Sequence, residues 1–233
     1  MPKTQGGRPF QVAAAAPRSA PPEGDVLMKL YNSIGPNPRV VNMFLAEKGV
    51  DLPRVTVDLM AGENRQEPYV ATVNPAGQTP ALELDNGAII SEITNICEYI
   101  EEKHPAPALI GATAEERAET RMWVRRVDLN ICEPMANGFR FSQGLAMFQP
   151  RMRCLPEAAD GLKAIAQDKI TWLDGLIAGK TFIAGDRLSL ADILLFCFLD
   201  FGANVGQPLN PANKNITAWF DRMKARPSAA ASA

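Results

Sequence analysis

The chain has 233 residues, enough for two compact domains or one large one. Its 24 Lys and Arg residues and 26 Asp and Glu residues give a net charge of −2, a balance that excludes a nucleic-acid or membrane-surface protein relying on bulk charge. Its single histidine, His104, and four separated cysteines, Cys97, Cys132, Cys154 and Cys197, contain no CxxC pair and no zinc-ligand set, and no apolar run approaches the roughly 20 residues that span a bilayer. The cysteines are expected to be small buried hydrophobes kept reduced in the cytoplasm.

The first 25 residues mix Pro, Gly, Ala and a few basic residues. Their "VAAAA" core is broken by Pro17 and Arg18, too weak for a signal peptide, so a disordered extension over 1–25 is expected. From Val26, "VLMKLY" reads as a buried strand, followed by the punctuation "NSIGPNPR". "VVNMFLAEKG" is the first helix: Val40, Val41, Phe44 and Leu45 share a face, and Gly49 stands at the C-cap. "RVTVDL" alternates as a strand, and "AGENRQEPYVATVNP" holds a short irregular helix. "ALEL", the turn "DNG" and "AII" form an antiparallel hairpin. "SEITNICEYIEEKHP" is a helix, with Ile93, Ile96, Cys97 and Ile100 at spacings of three and four.

The order β-α-β-α-β-β-α over 26–104 implies a mixed sheet faced by helices. A proline-rich linker over 105–113 leads into an all-helical domain over 114–228. There "ATAEERAETRMWVRRVDLNICEPM" opens with an acidic first turn. Leu162, Ile165, Ile170, Leu173, Leu176 and Ile177 fall on one helical face. "LSLADILLFCFLDF" is apolar all round, a central helix with Ser189 and Asp192 as its capping box. The closing "RPSAAASA" is expected to fray.

Three stretches of the first half can meet at one end of such a sheet: "SIGPNPR", "GQTP", and Ser91 with Glu92 at the opening of the third helix. Helix N-termini there offer free N–H groups and a positive dipole. Pro80 heads a strand, a position that tolerates the missing donor.

At these residues the sequence resembles the cytosolic glutathione transferase family. The resemblance rests on "NPAGQTPAL", "ISEITNICEYIEEKHP" and "GDRLSLADI", and covers nearly all of Val26 to Ser228. It implies a thioredoxin-like N-terminal domain followed by an all-helical C-terminal domain, glutathione as the bound tripeptide, a homodimer, and a detoxifying transferase. It also implies a cis bond before Pro80, which turns the Thr79 backbone outward to pair with the cysteinyl segment of glutathione like one more strand. Ser91 and Glu92 match the stretch that holds the γ-glutamyl end, Glu92 accepting from the ammonium group. Ile93 stands where the family usually has Ser, so one hydroxyl is lost and its backbone N–H remains. Gln78 is a candidate donor to the glycyl carboxylate.

The chemistry needs a thiolate. Lowering a thiol pKa from about 8.5 to about 6.5 takes roughly 2.7 kcal/mol of anion stabilisation. One hydrogen bond to the charged sulfur contributes about 1.5–3 kcal/mol and a helix N-terminus about 0.3–1, so one hydroxyl or amide donor suffices. The loop after the first strand offers Ser33 and Asn37. Asn37 matches the asparagine of a Pro-Asn pair in bacterial Nu-class relatives, although Gly35 stands where those have Thr. Ser33 and Asn37 remain equal candidates; Tyr31, in the strand, is expected to face the core. Phe139, Phe141, Met147 and Phe148 are candidates for an apolar second-substrate site, and Arg121, Arg125 and Arg126 for a basic or solvated helix face. Conjugation of glutathione to a small electrophile leads. Disulfide reduction or peroxidase chemistry, ether cleavage, and a non-catalytic adaptor on the same fold stay open.

Overall fold

The computed structural model describes residues 28–233. The extension expected over 1–25, and the Val26 and Leu27 start of the first strand, lie outside the described residues. Four short strands, β1 (Lys29–Asn32), β2 (Arg54–Thr56), β3 (Ala81–Glu83) and β4 (Ile89–Ser91), form one sheet in the order β2-β1-β3-β4. β2 runs parallel to β1, which the crossover through helix α1 (Pro36–Lys48) allows, while β3 is antiparallel to β1 and β4. The register sets Tyr31, Ala81 and Ser91 in one row across the sheet. Continued by one residue, it aligns Asn32, Pro80 and Glu92 at the sheet's end.

α1 starts four residues before the expected Val40. Pro36 and Pro38 have the φ of a first helical turn, where a missing N–H costs nothing, so the apparent punctuation is the helix's opening. Gly49 closes it at φ 65, in the left-handed region, its N–H donating to Ala46. After the short helix α2 (Tyr69–Thr72) and the hairpin, α3 (Ile93–Lys103) packs beside α1. Of Ser91 and Glu92, expected to open α3, Glu92 does so as the N-cap, while Ser91 instead ends β4. β4 and α3 both need this residue pair, and the strand takes Ser91 through its pairing with Ala81.

The second half is helical. α4 (Ala114–Val127) begins with a Thr113–Glu116 capping box and runs through a π turn, Asp128–Cys132, into α5 (Glu133–Arg140). The short α6 (Leu145–Phe148), α7 (Ala159–Leu176), α8 (Leu190–Asn204), α9 (Lys214–Lys224) and α10 (Pro227–Ala231) follow. α8 is buried nearly all round and packs on both α1 and α4. Its first turn is held by Asp192, which accepts from the Ser189 N–H and hydroxyl, the Ile183 N–H and the Trp219 indole. Burial pushes the Asp192 carboxyl up against those donors.

Two further expectations need correction. On α7, Ile170, Leu173 and Ile177 are buried, but Ile165 and Leu176 are 48% and 40% exposed. Small residues, Ala159 and Ala166, take the buried stripe instead, because α5 approaches so closely that a Cβ on Gly138 would meet Lys163. The C-terminal stretch does not fray. It forms α10 and docks on α1, where Glu47 accepts from Arg226 at 2.6 and 2.9 Å and from the Ser228 hydroxyl. Four alanines and two serines read as low complexity, yet small side chains are what a close helix contact admits; Ala229 is buried.

The proline-rich linker is inlaid rather than loose. The buried Lys48 ammonium pairs with Glu101 and donates to the carbonyls of His104 (2.8 Å) and Pro107 (2.5 Å). Glu101 in turn accepts from the N–H groups of Ile110 (2.8 Å) and Leu109 (3.2 Å).

Candidate active site

The site begins with the turn before Pro80. Asn74 donates to the Gln78 carbonyl (2.9 Å) and accepts from the Ala76 N–H (3.0 Å). The Tyr69 hydroxyl reaches the same Gln78 carbonyl (2.8 Å), and Asn64 donates to that of Gly77 (2.5 Å). Gly77 has φ 61, and a Cβ there would lie 2.9 Å from both Arg65 Cδ and Asn64 O, so only glycine fits. The main chain is thereby fixed up to Gln78. Thr79 comes next. It is buried, the peptide bond to Pro80 is cis, and neither its N–H nor its C=O bonds another described residue. Buried main-chain groups are paired in the great majority of cases, so an open donor and acceptor on one residue fit an extended ligand segment.

Glu92 lies one strand over in the row of Pro80, exposed, at φ 71 and ψ 123. That is a costly conformation for a residue with a Cβ. α3 has no side-chain cap and no acidic residue in its first turn, so its leading N–H groups, Ile93 among them, are available to an anion. Ser91 is half-buried at the end of β4, and the Gln78 side chain is exposed beside Thr79. The register thus gathers Thr79, Pro80, Ser91, Glu92 and Ile93 at one end of the sheet.

The two candidate donors fall on different sides of α1. Asn37 is in the first turn. Lys48, eleven residues on, shares its angular position to within about 20° at 100° per residue, and Lys48 pairs with Glu101 of α3. Asn37 is therefore on the α3 flank, toward Pro80 and Glu92, and its amide bonds no other described residue. Ser33 donates its hydroxyl proton to the Val57 carbonyl at 2.6 Å. Tyr31 is half-buried rather than in the core. Its hydroxyl donates to Glu83 (2.9 Å), and burial and Glu83 push its pKa up.

On the other flank, a cleft of about 730 Å³ opens between the ends of β1 and β2, the start of α1, and the last turns of α8. Ser33, Pro36, Arg39, Asp58, Asp200 and Phe201 are on its walls. The aromatic candidates do not line it. Phe141 is buried, and Phe139 packs edge-on against Phe201 (5.1 Å between centroids) and Phe148 (6.1 Å). The stretch from α5 to α6 folds behind α8, so Phe201 is the ring that reaches the cleft. Of the α4 arginines, Arg121 is held by Glu98 through two hydrogen bonds (2.9 and 2.8 Å), and Arg126 lies over Trp123.

Sequence reasoning missed several residues. Arg65 and Arg151 come together from opposite domains, Arg65 donating to Ala76 and Arg151 to Leu59. Burial first, and then the neighbouring Arg151 charge, lower the Arg65 pKa. Asp128, in the π turn, is raised by burial and by the nearby Glu133 and Glu92 carboxylates. Neither has a local signal; only tertiary placement gives them meaning. Burial raises the Cys97, Cys132 and Cys197 thiols, the last to about 12, so none of these three is a ready thiolate.

Comparison with known proteins gives this geometry a context. Residues 34–103 match the N-terminal domain and residues 157–227 the C-terminal domain of glutathione S-transferase. Glutathione S-transferase 2 of Saccharomyces cerevisiae is 32% identical over 209 residues, covering 86% of this chain and 87% of that one. Maleylacetoacetate isomerase of Pseudomonas aeruginosa is 34% identical over 161 residues, covering 66% and 71%. The crystal structure of a glutathione S-transferase domain-containing protein from Marinobacter aquaeolei superposes with a TM-score of 0.80 at 32% identity, covering 86% of this chain and 98% of its own. With both halves matched in order around that open strand end, the chain belongs to the glutathione S-transferase family.

Proposed function

We propose that this protein binds glutathione along Thr79 and directs its thiolate to the electrophilic carbon of a small molecule. The sulfur forms a C–S bond as the bond to the leaving group breaks, and the leaving group departs with the electron pair. The observation that carries this reading is that the N–H and C=O of Thr79, one residue beyond the Asn32–Pro80–Glu92 row, bond no other described residue. A cysteinyl backbone satisfies both groups as an added strand. The γ-glutamyl carboxylate meets the uncapped start of α3, Ile93 N–H included, and Ser91 lies beside it. Its ammonium group meets Glu92, with the Asp128 carboxylate nearby. The glycyl carboxylate extends past Gln78 toward Arg65 and Arg151. Asn37, on the tripeptide side of α1, donates to the sulfur, and Ser33 stands at the boundary with the cleft.

Titration calorimetry with glutathione tests the reading. Binding that weakens at least about tenfold in Glu92→Ala supports it, since losing one charged hydrogen bond costs about 1.5–3 kcal/mol. No heat at saturating glutathione overturns it and leaves the adaptor. Turnover of glutathione-capped disulfides without conjugation of halogenated or unsaturated carbons assigns disulfide reduction to the same site. The isomerase relative motivates a further version, in which addition of glutathione is followed by its return. We further propose a cytoplasmic homodimer. The four cysteines are free, and α4 with its π turn exposes Met122 (40%) and Leu129 (47%) one above the other for a second copy to cover.

A further inference from the structure

We propose that the cleft beside α1 selects neutral, amphipathic electrophiles carrying a hydrogen-bond acceptor, and discriminates against anionic ones. This rests on the glutathione-transfer reading and names the class of its second substrate. Two large apolar side chains flank the mouth, Ile34 (63% exposed) and Met60 (68%), more surface than a loop needs and enough to hold an aromatic body. The interior is different. The side chains on its walls that carry charge are Arg39, Asp200 and Asp58, and the amides of Asn32, Asn42 and Asn204 line it as well. Arg39 and Asp200 form an ion pair and cancel. Asp58 is left over, so an incoming carboxylate meets a net negative wall with its cation already committed.

A neutral acceptor is treated differently. Arg39 donates one Nη to Asp200 and the other to the Ala229 carbonyl at 3.3 Å. Its Nε–H is buried and has no partner among the described residues. A buried guanidinium donor left unpaired is costly. The Nε–H is closed to water in the free protein, so a carbonyl or amide oxygen of the substrate meets it as the Arg39 side chain shifts, and then removes that cost without adding charge beside Asp200. Ser33 belongs both to the cleft wall and to the loop beside the Thr79 row, so an electrophile in the cleft has its reacting carbon at the tripeptide side.

The test uses three benzylic chlorides of one shape: para-(chloromethyl)benzamide, para-(chloromethyl)benzoate and para-methylbenzyl chloride. In each, sulfur bonds to the benzylic carbon and chloride leaves with the bonding pair. After subtraction of the uncatalysed rates, the amide is expected to exceed the benzoate in kcat/KM by at least about fivefold, the effect of one excess charge at several ångströms near a protein surface. The gap should narrow in high salt. Asp58→Asn, at an exposed position whose turn-forming oxygen is kept, and Asp200→Asn should each raise benzoate turnover more than amide turnover. Arg39→Lys, which keeps the charge and loses the Nε–H, should erase the amide's advantage over the methyl compound. A benzoate turned over as fast as the amide, or a ratio that neither aspartate variant moves, overturns the inference. Calorimetry on the same preparations separates the two levels. Intact glutathione binding with the wrong selectivity sinks this inference alone, and absent binding sinks the transfer reading with it.

Discussion

Glu92 is the one non-glycine among the described residues with a positive φ, at the point where a strand becomes a helix and where the proposed ligand's ammonium group lies. Such a conformation costs about 1–3 kcal/mol, so removing the strain and removing the carboxylate are separable. Glu92→Ala keeps the Cβ and loses the charge; Glu92→Gly loses both. The glycine variant is expected to be more stable than the alanine variant by about 1 kcal/mol in urea unfolding, while both bind glutathione at least about tenfold more weakly. Equal stabilities would mean that the backbone is not strained there. Beside it, Asn37 and Ser33 divide the donor question. The Ser33 proton is given to Val57, and the Asn37 amide bonds no other described residue. Asn37→Ala should therefore raise the pKa of bound glutathione by about one unit, a shift worth about 1.4 kcal/mol, and move the pH–rate profile the same way. Ser33→Ala should shift it by less than half as much. The reverse ranking, read from thiolate absorbance against pH, would assign the sulfur to Ser33.

Elements with local chemistry were legible in the sequence. The Ser189–Asp192 capping box, the Asn-Gly hairpin turn and the apolar α8 follow from spacing alone, because caps, turns and periodicity act within a few residues. α10 was not, since three alanines carry no amphipathic stripe and the element exists because Glu47, 179 residues from Arg226, clamps it. The same clamp makes α10 responsive to acid. Burial opposes ionisation of Glu47, yet Arg226 and the Ser228 hydroxyl outweigh it and hold the carboxyl below its ordinary value of 4.5. A carboxyl depressed in the folded state stabilises that state above its unfolded pKa and loses the contribution as pH falls through the folded one. Amide exchange over Ser228–Ser232, corrected for intrinsic rates, should be slow and level above about pH 5 and accelerate as pH drops below 4.5. Glu47→Gln should exchange faster at neutral pH and lose that dependence. A variant as protected as the parent would show that packing of Ala229, not the clamp, holds the helix.

At the scale of the whole molecule, the site is shared between halves that the sequence presents as separate. The gathering of Thr79, Pro80, Ser91 and Glu92 at one sheet end follows from strand register, so it could be anticipated from the motifs, but the cleft, the Arg39–Asp200 pair and the Arg65–Arg151 meeting depend on how the helical half lies against the sheet. Lys48 is central to that seating. Its side chain is fully buried and ties α1 to Glu101, to the carbonyls at 104 and 107, and so to the linker that starts the second half. Removing one partner of a buried ion pair leaves the other charge uncompensated and costs about 3–5 kcal/mol. Lys48→Met should accordingly lower the thermal midpoint by roughly 10 °C for a chain of this size, and Lys48→Met with Glu101→Gln should recover most of the loss because no buried charge is stranded. Because α1 also contacts α8 and α10, both variants should still unfold in a single calorimetric transition. Two resolved transitions in Lys48→Met would show instead that the linker alone couples the halves, and a double variant as unstable as the single would mean that Lys48 acts through its bonds to the linker carbonyls rather than through Glu101.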